Sequence, residues 1–94
     1  MIDLKDYALP VYDGDIEASE GIPAAVKALG GKIAAADALI ISTPEYNGSI
    51  ASPLKNLLDW LSRDKPMSLG NKPLLLLGAS PGALGAVRGL WHTR

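Results

Sequence analysis

Two short, unbroken apolar runs, each flanked by stretches of helical periodicity, restrict this chain to a small set of folds. Ala38-Leu39-Ile40-Ile41-Ser42-Thr43 is rich in β-branched residues and ends at Pro44; Pro73-Leu74-Leu75-Leu76-Leu77 runs into Gly78. Runs this short, without polar alternation, predict strands buried on both faces. Before the first run, a helix is predicted to begin near Pro23, whose missing N–H suits the first helical position. Val26, Leu29, Ile33 and Ala36 recur along it at helical spacing. Gly30-Gly31 interrupts that pattern at about 1 kcal/mol per glycine relative to alanine, so the helix is expected to bend or stop there. Between the runs, Ser52 is suited to an N-cap and Pro53 to the first helical position. Leu54, Leu57, Leu58 and Leu61 then form a core stripe, with Asp59 and Arg63 spaced as an i,i+4 pair. A last helix is predicted from about Leu84. Helix–strand–helix–strand–helix implies a parallel sheet with crossover helices. Ligands of such sheets bind beyond the carboxyl ends of the strands, where the loops at Pro44 and Ser80 lie. The segment before Gly21 is broken by Pro10 and Asp13-Gly14-Asp15 and reads as turns, with a short extended run at residues 1–4.

Length and composition narrow the function. With 94 residues the chain is one small domain. Its net charge of −1 offers no basic patch for nucleic acid. It has no cysteine, which removes disulfides and zinc thiolate sites. The apolar stretch Pro73–Ala79 is far short of the ~20 residues that span a bilayer. The acidic start Met-Ile-Asp-Leu-Lys-Asp has no signal-peptide pattern. A soluble, cytoplasmic protein that binds neither membrane nor nucleic acid is expected. The glycines do not form G-x-G-x-x-G, nor is there a P-loop.

Ser42 to Arg63 reads STPEYNGSIASPLKNLLDWLSR. Thr43-Pro44-Glu45-Tyr46-Asn47 followed by Leu54-Lys55-Asn56 and Asp59-Trp60 resembles the NADPH-dependent FMN reductase family, which includes quinone, chromate and azo-dye reductases. Leu9-Pro10-Val11-Tyr12-Asp13 is similar to that family's L-P-x-Y-D segment. Gly78-Ala79-Ser80-Pro81-Gly82, with Gly85 and Arg88, is similar to its third loop. The resemblance implies a partial flavodoxin-like domain over residues 1–94: a three-layer α/β parallel sheet without the family's first strand and phosphate-binding loop, or its last strand and helix.

It further implies an enzyme using FMN, with NADPH or NADH as donor, for two-electron ping-pong reduction of quinones or related small-molecule acceptors. Pro44, Glu45, Tyr46 and Asn47 would wrap the flavin ring, with Ser80 and Gly82 on its other side. No catalytic acid–base residue and no metal is expected, because the flavin carries the hydride chemistry. A homo-oligomer, dimer or tetramer, is implied. The rival expectation is a non-catalytic fragment that folds by oligomerisation and binds flavin weakly or not at all, since unpaired strand edges invite association.

Blander readings stand beside these. Pro44–Asn47 also fits a polar turn, and Ser80–Gly82 a tight turn into a helix. His92 reads as a surface residue. Trp60 and Trp91 read as packing residues at a core or a subunit interface, and Arg88 as solvated or paired with a partner chain.

Overall fold

The computed structural model describes residues 1–94. A 3-10 turn at Leu4–Asp6 leads to α1 (Gly14–Glu20), α2 (Ala24–Ala34), β1 (Leu39–Ser42), β2 (Glu45–Tyr46), β3 (Ser49–Ile50), α3 (Ser52–Arg63), β4 (Leu74–Leu77) and α4 (Val87–Thr93). β1 and β4 pair in parallel, with Leu39 beside Leu74 and Ser42 beside Leu77; β2 and β3 form a separate antiparallel hairpin. This is the α/β arrangement with a parallel sheet that the alternating runs predict.

The core lies between α2 and α3. Val26, Leu29 and Ile33 from the first meet Leu57, Trp60 and Leu61 from the second. That burial carries α2 straight through Gly30-Gly31, where propensity alone predicts a bend or stop, because packing of an apolar face supplies most helical stability. Pro23 is the N-cap of α2 rather than its first helical residue. At α3, Ala51 takes the capping position without a side-chain bond, and Ser52 is already helical.

Three further expectations are corrected. Residues 1–4 form no strand. Asp13, read as part of a turn, accepts the Asp15 N–H at 2.8 Å and starts α1. The two strands are not buried on both faces: Ile40 is 70% exposed and its neighbour Leu75 52%. The reason is the sheet's width. With only two strands, β1 has an open edge and one side of the ladder has no covering layer.

The motif residues outside the strands turn out to fasten the chain's beginning to α3. The Pro10 carbonyl accepts from Trp60 Nε1 at 2.9 Å and from Asn56 Nδ2 at 3.0 Å. Asn56 Oδ1 accepts the Tyr12 N–H at 2.8 Å. The Tyr12 ring stands edge-on to Trp60, centroids 5.0 Å apart. Its hydroxyl donates to Glu17 at 2.9 Å, and Glu17 accepts from Arg63 Nε at 2.9 and 3.0 Å. Arg63 therefore pairs with Glu17 rather than Asp59, which pairs with Lys55 instead. The Pro10–Tyr12 segment and the N-x-x-x-W spacing of α3 thus form one clasp.

This clasp gives a pH dependence. The Tyr12 hydroxyl, then Arg63, hold the Glu17 carboxyl below its ordinary value. A carboxyl lowered by folding contributes stability that is complete above its unfolded value and is lost as pH falls through its folded one. The wild-type urea midpoint should therefore drop more steeply on acidification below the ordinary carboxylate range than that of Glu17→Gln. Parallel profiles for the two proteins would remove Glu17 from the account.

Candidate functional site

The two loops leave the carboxyl end of the sheet side by side. Thr43 N–H donates to the Leu77 carbonyl at 2.9 Å, one step beyond the paired strands. Thr43 is buried, which anchors the start of the first loop. Gly78 begins the second, and its lack of a side chain is required here. A Cβ would sit 3.0 Å from Ala86 Cβ, 3.1 Å from the Thr43 carbonyl oxygen and 3.3 Å from Leu90 Cδ2. Gly78→Ala should cost about 1–3 kcal/mol by overpacking, read as a lower urea midpoint. An unchanged midpoint would show that α4 shifts freely.

Pro44 follows Thr43, and the chain then turns back on itself. Asn47 (φ 51°) and Gly48 (φ 74°) are both left-handed and join β2 to β3. Asn-Gly is the strongest short hairpin signal because both residues tolerate that conformation. The dipeptide Asn47-Gly48 carries this signal in the sequence, and the segment expected as a plain loop is a hairpin. Tyr46 stays 52% exposed beside the turn.

In the second loop, Ser80 Oγ accepts the Gly82 N–H at 3.1 Å. α4 starts at Val87, three residues after the predicted Leu84, following Ala86 in the left-handed region. Ser80 and Gly82 are exposed, and no hydrogen bond joins them to Pro44–Asn47. The structure thus brings the two loop origins together, while no hydrogen bond links the two sets.

Two residues gain partners that sequence reasoning missed. Glu45 accepts from Arg88 Nε at 3.1 Å, from Arg88 Nη2 at 2.9 Å and from the Gly89 N–H at 3.1 Å. Arg88 is thus paired within the chain. Gly89 first, then Arg88, hold the Glu45 carboxyl below its ordinary value. His92 Nδ1 lies 2.9 Å from Ser49 Oγ. Nothing in the spacing of residues 45 and 88 announces this contact; the fold of α4 onto the hairpin creates it. Trp60 is fully buried, whereas Trp91 is 68% exposed.

An apolar groove of about 650 Å3 runs from the chain's beginning along the open side of β1 to Pro44 and Tyr46. Leu29, Ile33, Ile41 and Leu54 line its floor. Tyr46, an exposed aromatic ring, stands at its upper end, and the backbone amides of Asn47, Ala79 and Ser80 in the two adjoining loops donate to no acceptor within the chain. An aromatic wall beside free donors is what a planar heterocycle with one polar edge requires, and the residues present fit an isoalloxazine ring.

Comparison with known proteins agrees with that chemistry. The model of the NADPH-dependent FMN reductase family matches residues 1–94. A quinone reductase of Escherichia coli K12 is 45% identical over 86 residues, covering 92% of this chain and 46% of that protein. An NAD(P)H-dependent FMN reductase of Pseudomonas aeruginosa is 45% identical over 94 residues, covering 99% and 50%. Among solved structures, the flavoenzyme NAD(P)H:(acceptor) oxidoreductase FerB of Paracoccus denitrificans superposes with a TM-score of 0.74 at 37% identity, covering 92% of this chain and 46% of that one. The chain spans about half the length of the curated relatives it matches.

Proposed function

The chain belongs to the NADPH-dependent FMN reductase family, and from that premise we propose that it carries the flavin-ring side of an NAD(P)H-dependent FMN oxidoreductase site acting on quinones or related small acceptors. The observation that supports this most is that two loops leaving the carboxyl end of one parallel sheet carry an exposed aromatic ring, Tyr46, and free backbone donors. When bound, FMN supplies two-electron hydride transfer, taken from NADPH or NADH in one half-reaction and given to the acceptor in the other. The chain's own residues bind and orient. Pro44-Glu45-Tyr46-Asn47 forms one wall, with Tyr46 beside the ring and Asn47 at its edge. Ser80 and Gly82 bring backbone to the other side, where small residues permit close approach. No side chain is assigned a proton-transfer role.

The test is the visible spectrum after adding FMN and desalting. Retained flavin bands are the expected result; a colourless protein would overturn the proposal for this chain.

A second reading, a non-catalytic chain that folds by association, is favoured by one observation: a two-stranded sheet with open edges and Ile40, Leu74, Leu75 and Leu77 exposed on it. Both readings place the protein in a homo-oligomer, and the flavin reading takes that assembly to be a cytoplasmic dimer or tetramer. Flavin absorbance read together with light scattering on the eluted peak separates them: flavin-bearing protein of any size supports the first, flavin-free oligomers the second.

A further inference from the structure

The Glu45 carboxylate makes every one of its hydrogen bonds to α4. One oxygen takes both Arg88 nitrogens and the other takes the Gly89 N–H. The Glu45 side chain is only 11% exposed, so little of it is left to meet anything else. The backbones approach as closely as the side chains. A Cβ at Gly89 would lie 3.1 Å from the Ser49 carbonyl oxygen and 3.2 Å from Glu45 Cβ; one at Gly48 would lie 3.3 Å from the Arg88 guanidinium carbon. Ser49 and His92 add a further bond across the same interface. The hairpin is therefore fastened along one face. Successive side chains of a strand point to opposite faces, so fastening Glu45 to α4 directs its neighbour Tyr46 away from it.

We infer that Glu45 is a positioning residue: through Arg88 and Gly89 it fixes the β2–β3 hairpin on α4 and so sets the direction of Tyr46, without touching the flavin itself. This inference rests on the reading that Tyr46 stands beside a flavin ring, and it changes the role of Glu45 from ring contact to support. Its charged form is favoured by the same partners, which keeps the clamp closed at neutral pH.

The experiment compares wild type, Glu45→Gln, Arg88→Gln and the double variant. Three quantities are measured: the FMN dissociation constant, the quenching of flavin fluorescence at saturating FMN, and amide hydrogen exchange over residues 45–50 without flavin. Each single substitution should raise the dissociation constant about tenfold, with the double variant no worse than the singles, because they break one unit. Quenching at saturation should fall in all three, since the ring then meets a misdirected Tyr46. A loss of stability alone would return wild-type quenching once FMN is in excess, and that result would overturn the inference. So would weakened binding in Glu45→Gln with none in Arg88→Gln, which would mean direct contact with the flavin. If wild type holds no FMN, the flavin reading falls and exchange decides the clamp. Faster exchange of the hairpin in both single variants supports it, and unchanged exchange overturns it.

Discussion

Trp60→Ala is expected to leave little folded protein at 25 °C. The indole is fully buried, and removing it leaves a cavity at a cost of about 3–5 kcal/mol. The same change deletes the Nε1 bond to the Pro10 carbonyl and the edge-on contact with Tyr12. Only 12 of 94 residues are buried, so no second core is present to absorb the loss, and domains of this class hold roughly 5–15 kcal/mol in total. Trp60→Phe separates the two contributions. It retains most of the packing and should lose about 1–2 kcal/mol, mainly the hydrogen bond. Urea unfolding followed by far-ultraviolet circular dichroism reads both variants. A Trp60→Ala midpoint close to that of wild type would show that the clasp of Pro10–Tyr12 on α3 is dispensable.

The combined variant Tyr46→Ala, Asn47→Gly should abolish flavin retention after desalting while leaving the fold intact. Loss of an aromatic face beside a planar ring is worth about 1–3 kcal/mol by analogy with stacked bases, or roughly 5- to 150-fold in affinity. Loss of the Asn47 side-chain carboxamide adds to it, while the backbone N–H at position 47 is kept. Glycine is chosen at position 47 because its φ of 51° would strain alanine, and a collapsed turn would imitate a lost contact. Tyr46 is half exposed in the flavin-free protein, so stability should hardly change. Bound flavin equal to wild type would sink the assignment of the ring site to this hairpin.

The strands and the two long helices were legible because their apolar pattern is local: Leu39–Ile41 and Leu74–Leu77 could be little else, and the stripe Leu54, Leu57, Leu61 needs only helical spacing. Helix α1 was hidden because Asp13-Gly14 signals a turn and a capped helix start with the same residues. Burial of the strands was not legible, because it depends on how many strands lie alongside, which no run of residues encodes. The loop at Pro44 stands out in the sequence through the P-E-Y-N motif. The bond from Glu45 to Arg88 and Gly89 does not, since it joins positions brought together only when α4 folds back. The L-P-x-Y-D and N-x-x-x-W segments were read through family resemblance, and the structure gives their physical reason: a carbonyl at Pro10 that takes two donors from one helix face.

That carbonyl also sets a clock on synthesis. Its partners Asn56 and Trp60 stand 46 and 50 positions later in the chain. At ribosomal rates of about 5–20 residues per second, roughly 2–10 s pass between the synthesis of Pro10 and that of the helix it docks on. During that interval the leading segment has neither its indole nor its amide partner. The Pro10–Tyr12 segment is therefore made well before the helix that secures it, and a pause in translation between the two would lengthen its exposure to chaperones and proteases.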